Sequence, residues 1–331
     1  MEAMHQERGM LILPAGYSKH TCALLLNKHK VRTIISKPHE LYLYFFPTNG
    51  QPLTNTIRIC LAFVKRAVDL GAKVVIADLQ LTTVAQQMVD SDSNVVFQKT
   101  DVTKWDELQR LVTVANETFG STPDVYIAGA GVFEPPWTSF WHDSEEDHYA
   151  LTDINLDHPI KLTRIAMRTL VSEDRKGVVI PIASVGGLAA SYSYPIYIAT
   201  KHAIVGFTKS MKMAEKYEGV KVVTICPGAV DTPLWTSDRR ERVAFGDIQS
   251  LAPDDVAKAM VDLVQEGKYV GGTVLEIMQN DGPKTRVVPE WNIDPPEGGT
   301  TTKIDPNSNE VPKTFIEMKE IMDKERGGAL K

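Results

Sequence analysis

Three residues at fixed spacing suggest chemistry in this chain. Ser184 is followed thirteen positions later by Tyr197, and Lys201 lies four positions after that. An offset of four puts the tyrosine and the lysine side by side on one face of a helix. Oxidising a secondary alcohol needs a base for the hydroxyl proton while hydride leaves the carbon. Free tyrosine titrates near about pH 10, too high for that task near neutrality. Lowering it by about two to three units takes roughly 3–4 kcal/mol. A lysine ammonium about 4 Å away supplies roughly that amount at an effective dielectric near about 20. The sequence therefore predicts Tyr197 as the general acid/base and Lys201 as its activator. Ser184 is placed to hydrogen-bond the substrate oxygen and hold it for the tyrosine. A second Tyr-x-x-x-Lys, Tyr217 and Lys221, is an internal contrast, because Gly219 and a strand onset at Val220 break the helix between them.

The elements that must position these residues alternate along the chain. Short apolar runs at 73–78, 94–98, 124–128, 177–184, 220–225 and 272–277 read as strands. Between them, helical spacing marks 61–70, 103–119, 149–170, 195–216 and 253–264. Gly71 ends the first helix, Thr103 and Asp106 have capping-box spacing, and Pro159 bends the third. Strands that are apolar throughout are buried on both faces, and alternation with helices makes the sheet parallel. The expected fold is α/β, a three-layer doubly wound parallel sheet of Rossmann type. Such folds bind ligands at the carboxyl ends of their strands. Asp78 ends one strand, where an acid accepts hydrogen bonds from an adenosine ribose. Its charge repels a 2′-phosphate, so NAD is expected over NADP.

Composition narrows the class. The chain has 331 residues, 43% of them hydrophobic and 24% charged, with a net charge of −6. A mildly acidic chain has no basic footprint for nucleic acid. Three cysteines, Cys22, Cys60 and Cys226, form neither a disulfide framework nor a zinc site. No metal and no membrane span are expected, and the cytoplasm is the expected compartment. Three regions are expected: an atypical segment 1–57, a dehydrogenase domain 58–280, and a tail 281–331 with a short helix over 314–326.

The serine followed by Tyr-x-x-x-Lys resembles the short-chain dehydrogenase/reductase family, over about two thirds of the chain. The stretch Glu134-Pro-Pro-Trp137 looks like the hydroxyprostaglandin-dehydrogenase-like branch. The resemblance implies an NAD-dependent enzyme acting on an alcohol or ketone, and a homodimer or homotetramer built through the helices 149–170 and 195–216. It gives Asn155 the role of holding a water in a proton relay to the lysine. It places Asp101 and Val102 at the adenine edge and Gly129, in Ala128-Gly-Ala-Gly131, close to the cofactor. In Cys226-Pro-Gly228-Ala-Val230-Asp-Thr232 it puts the Gly228 turn, Val230 and Thr232 at the nicotinamide carboxamide. Tyr197 and Lys201 also touch the cofactor. Trp235 and Phe245 fall in a lid at 233–250, and with Trp137 and Trp141 they suggest an apolar alcohol or hydroxy lipid.

The opening departs from that pattern. The family's phosphate-binding glycines are replaced by Thr54, Arg58 and Cys60, and the first strand and its loop read as degenerate. The resemblance begins abruptly at Ile59, as if residues 1–57 were not the natural start. Leu41 to Phe46 is the candidate for the missing strand. Losing two or three backbone hydrogen bonds to a pyrophosphate, each worth about 1.5–3 kcal/mol, predicts weak cofactor binding. The alternative reading is a catalytically impaired scaffold of the same fold.

Overall fold

Strands whose every residue is apolar must be covered on both sides, and that requirement sets the layers here. The structure, a computed structural model, describes residues 41–44, 56–134, 140–142, 148–232, 249–290, 313–326 and 328. Trp137, Trp235, Phe245, Thr54 and Cys22 lie outside the described residues, as does nearly all of the expected lid.

Six strands form a parallel sheet in the order β3-β2-β1-β4-β5-β6: β1 (Leu41–Tyr44), β2 (Val74–Asp78), β3 (Val95–Lys99), β4 (Val125–Ala128), β5 (Gly177–Pro181) and β6 (Val220–Val222). β7 (Thr224–Pro227) follows β6 with only Val223 between, and pairs in parallel with β8 (Val274–Gln279). Val223 N–H still bonds to Val179 at 3.0 Å, and a bridge joins Ile182 to Ile225, so the two sheets meet along one strand path. β2, β4 and β5 are buried at every position. Their side chains alternate between faces. Val74, Ile76, Val125 and Ile127 enter one core, and Val75, Ala77, Tyr126 and Ala128 enter the other.

The first core is closed by α1 (Thr56–Asp69) and α7 (Pro253–Gln265), the second by α3 (Trp105–Phe119) and α4 (His158–Ser172). α2 (Thr83–Ser91) and α5 (Pro195–Ser210) complete the layers, with a single short helix, α6 (Ala214–Glu218), after α5. Gly71 ends α1 at φ +83°, as the sequence suggests. Asp255 returns a carboxylate to the Ala252 N–H at 3.1 Å, capping α7.

Several expectations need correction. Leu41–Tyr44 is an ordinary central strand, paired in parallel with β2 on one side and β4 on the other. The sheet therefore reaches back before residue 58, and α1 starts at Thr56. The capping box at Thr103 does not form. Thr103 instead bonds to the Asp101 carboxylate, and α3 starts at Trp105 without a side-chain cap. The 149–170 helix is broken rather than smoothly bent. A turn at Ala150–Thr152 passes into a π-helical segment, Asp153–Asp157, just before Pro159. Proline has no N–H for the Asn155 carbonyl one turn back, which removes a bond that would enforce α geometry there.

The region after 280 is also more ordered than a tail. β9 (Pro283–Val287) pairs antiparallel with β8 across an Asp281–Gly282 turn in which both residues have positive φ, +48° and +106°. α8 (Lys313–Arg326) packs on the outside of α4, one of the two helices expected to support self-association. There Glu325, 2% exposed, accepts from Arg164 at 2.9 Å and lies 3.5 Å from Arg168. Met322 is buried beside it, Arg326 pairs with Asp174 and Glu218, and Phe315 stacks edge-on against Tyr217. No helix among the described residues is long and apolar enough to cross a membrane.

Removing Glu325 leaves two arginines facing each other without their buried counter-charge. Glu325→Ala is expected to cost about 1–3 kcal/mol in urea unfolding and to open 313–326 to limited proteolysis. Asp174→Asn, which keeps a residue suited to the positive φ of that position (+50°) and removes only the charge of an exposed pair, is expected to cost less than about 1 kcal/mol. An unchanged protease pattern in Glu325→Ala would refute this account of how α8 is held.

Candidate active site

β5 ends beside a short 3-10 turn, Val185–Gly187, which hands the chain toward α5. Ser184 caps that turn. Its backbone is extended and its Oγ accepts the Gly186 N–H at 3.1 Å. Gly187 permits the approach of α5, since a Cβ there would stand 2.6 Å from the Lys201 carbonyl oxygen. α5 opens with Pro195 at its N-terminus, preset for helix. Tyr197 and Lys201 then fall on the side facing Ser184, and the Tyr197 hydroxyl hydrogen-bonds to the serine. Lys201 is buried, with Nζ donating to the Ile182 carbonyl at 2.9 Å and standing 5.7 Å from the Tyr197 ring centroid.

The electrostatics differ from a simple pairwise estimate. Burial pushes the Tyr197 phenol above its ordinary value, and the bond to Ser184 opposes the rise. This is the reverse of the expected drop, because desolvation penalises the phenolate. The same burial lowers Lys201 to about 8. Cys226, the last but one residue of β7, lies within reach of this cluster, and burial raises its thiol to about 12 against a backbone hydrogen bond from Ser184. The second Tyr-x-x-x-Lys is pulled apart. Tyr217 is exposed against Phe315, while Lys221 is buried in β6 and donates to the Leu263 carbonyl at 2.7 Å.

Asn155 lies in the π-helical segment and is 1% exposed. Its amide accepts the Val132 N–H and donates to the Val132 carbonyl, both at 2.8 Å, and reaches Thr200 Oγ1 at 3.4 Å. Thr200 in turn donates to the Tyr197 carbonyl at 2.8 Å. The structure thus brings Asn155 to the same site as Ser184, Tyr197 and Lys201.

The other candidates lie along the carboxyl ends of the strands. Asp78 is 4% exposed, accepts the Gln80 N–H at a long 3.4 Å, and is raised by burial to about 7. It lines a half-open hollow with Leu61, Ile76, Leu81, Thr82 and Ala85. Asp101 engages Thr103 and Val102 is buried next to it. Gly129 sits in the buried turn after β4. Val230 and Thr232 are buried after β7, where Val230 bridges to Leu251. Gly228 has a packing reason of its own, since a Cβ there would meet Met278 Sδ at 2.6 Å. Neither Arg58 nor Cys60 lies in a loop. Both are in the opening turns of α1, with Cys60 fully buried in the core and Arg58 exposed, 3.8 Å from Asp231.

The sequence reading missed the residues that brace α5. Glu134 is buried and accepts the Tyr197 N–H at 3.3 Å and the Phe140 N–H at 2.8 Å. The Phe133 ring lies 4.4 Å from Tyr194 and 4.9 Å from Tyr197. At the rim, Trp141 stacks on Tyr192 at 4.7 Å and donates to the Tyr192 carbonyl.

With this geometry in hand, the relatives are informative. The family model for short chain dehydrogenases matches residues 58–243. An uncharacterized oxidoreductase of Staphylococcus aureus (strain MRSA252) is 32% identical over 203 residues, 60% of this chain and 83% of the relative. The mitochondrial borneol dehydrogenase of Lavandula x intermedia is 31% identical over 205 residues, 61% of this chain and 78% of that enzyme. Among solved structures, a 4-hydroxyisoleucine dehydrogenase complexed with NADH superposes with a TM-score of 0.60 at 24% identity, covering 72% of this chain and 96% of that one.

The depressed lysine has a measurable signature. Folded Lys201 loses its proton at about 8 while the unfolded lysine keeps it to the ordinary value of 10.5. Between those values the unfolded state binds more protons, so this group's contribution to stability rises with pH. The wild-type-minus-Lys201→Met difference in unfolding free energy should climb between about pH 8 and 10, by up to about 1.4 kcal/mol per unit. A flat difference would show that the lysine titrates normally.

Proposed function

The chain belongs to the short-chain dehydrogenase family of oxidoreductases, and from that premise we propose that it moves hydride between NAD and a secondary alcohol or ketone, with Tyr197 as the general acid/base. The observation that carries this reading is the convergence of Ser184, Tyr197, Lys201 and Asn155 from three separate segments onto one buried corner. A bound nicotinamide supplies the hydride acceptor for oxidation and the donor for reduction. Ser184 holds the substrate oxygen and Tyr197 takes or returns its proton. Lys201, nearer to neutrality than an ordinary lysine, exchanges that proton onward, and Asn155 fixes the backbone behind it.

The residues present fit the adenosine end of such a cofactor. Asp78 is a buried carboxyl at a strand end, with a long 3.4 Å hydrogen bond from the Gln80 N–H, beside an apolar hollow. That donor-hungry acid suits a ribose diol, and its charge disfavours a 2′-phosphate. The buried small residues of the turn at Gly129 would permit close approach, and Val230 and Thr232, buried after β7, would meet the nicotinamide end. The aromatic rim of Phe140, Trp141 and Tyr192 favours an apolar alcohol.

Tyr197→Phe should abolish turnover of secondary alcohols while leaving the unfolding midpoint nearly unchanged. Tyr217→Phe, the matched control, should keep full activity. Near-normal turnover in Tyr197→Phe would end the assignment. For the cofactor, Asp78→Ala should narrow the preference for NAD over NADP by at least about tenfold, or 1.4 kcal/mol, read as the ratio of dissociation constants. A preference for NADP in the unaltered chain would overturn the choice.

A further inference from the structure

The helix that carries Tyr197 lacks an ordinary cap. Tyr194, at its N-cap, makes no side-chain bond to the first turn, and Pro195 has no N–H to satisfy. The remaining first-turn N–H groups need acceptors from elsewhere. One of those acceptors comes from 63 residues away, where Glu134 Oε2 accepts the Tyr197 N–H at 3.3 Å. The other oxygen, Oε1, accepts the Phe140 N–H at 2.8 Å. Phe140 opens the short turn that holds Trp141, whose indole donates at 3.1 Å to the carbonyl of Tyr192, just before α5. The circuit is closed: Glu134, Phe140, Trp141, Tyr192, the start of α5, and back to Glu134 through Tyr197.

A carboxylate is costly to bury, and Glu134 is only 6% exposed. A helix N-terminus is where a negative charge is favoured. The group it holds there is the backbone of the tyrosine itself, and Phe133, its neighbour, packs on that tyrosine's ring. We propose that Glu134 is a positioning residue for the reaction, fixing Tyr197 against Ser184 and locking the substrate-side turn at Phe140–His142 to the same helix. This inference rests on Tyr197 being the acid/base group. Geometry at such a group is steep, and a misplacement of about 1 Å costs on the order of a hundredfold in rate.

The test compares Glu134→Ala and Glu134→Gln with the wild-type chain and Tyr197→Phe, measuring kcat, KM for the alcohol, and the NAD dissociation constant by fluorescence titration. Alanine removes both acceptors. Its kcat is expected to fall about ten- to a hundredfold, with NAD affinity within about twofold, because the residues around Asp78 are untouched. Glutamine keeps one carbonyl oxygen and the same shape, so it should recover kcat to within about fivefold of wild type. If alanine fails to fold, Glu134→Leu decides, because it fills the space without either acceptor: a purely space-filling role predicts wild-type kcat for it, and the positioning role predicts the loss expected of alanine. Wild-type kcat in Glu134→Ala, or equal losses in kcat and NAD affinity, overturns the inference. A wild-type chain without turnover, or an active Tyr197→Phe, removes the reading beneath it. Loss in Tyr197→Phe alone removes only the role of Glu134.

Discussion

The backbone of Val132 leaves the sheet just after β4, in a half-buried turn where it belongs to no strand. The Asn155 amide meets both, at 2.8 Å each. Leaving such a pair unmet costs up to about 1–3 kcal/mol per group as burial becomes complete, so the loop and the helix are tied together. Asn155 can reach the loop because the helix around it is π-wound ahead of Pro159, and the same amide touches Thr200, which holds the Tyr197 carbonyl. One side chain thus couples the exit of β4, the approach to α4 and the Tyr197 side of α5.

Burial unifies the chemistry of this corner. It raises Tyr197 and Cys226 and lowers Lys201. Each neutral form gains, so the tyrosine rises above its ordinary value of 10.0 while the lysine falls to about 8, and the two titrate further apart than they do in water. The pairwise Coulomb estimate made from spacing alone pointed the other way for the tyrosine, because it carried no desolvation.

What the sequence disclosed was local. Ser184, Tyr197 and Lys201 sit in one strand-turn-helix unit, so their offsets encode their proximity. The buried strands announce themselves as unbroken apolar runs, and the apolar and aromatic run at 41–46 marked Leu41–Tyr44 as a strand candidate by sequence alone. Glu134 was hidden because its partners are remote and a glutamate before two prolines looks solvated. β9 was hidden because every residue in it is exposed, though the Asp281–Gly282 pair was a hairpin signal in plain view. The docking of α8 depends on a buried glutamate, and charge at helix spacing ordinarily marks the wet side.

That docking has a bearing on how the molecule is made. Arg164 and Glu325 are separated by 161 residues. At about 5–20 residues per second, a growing chain exposes α4 for roughly 8–32 s before its cover emerges from the ribosome. Throughout that interval the outer side of α4 must tolerate water. Arg164 and Arg168, still 36% and 43% exposed in their finished pairs, equip it to do so. The latch is therefore built so that its waiting half is soluble and its arriving half brings the charge that is sequestered, a division of labour suited to assembly from one end.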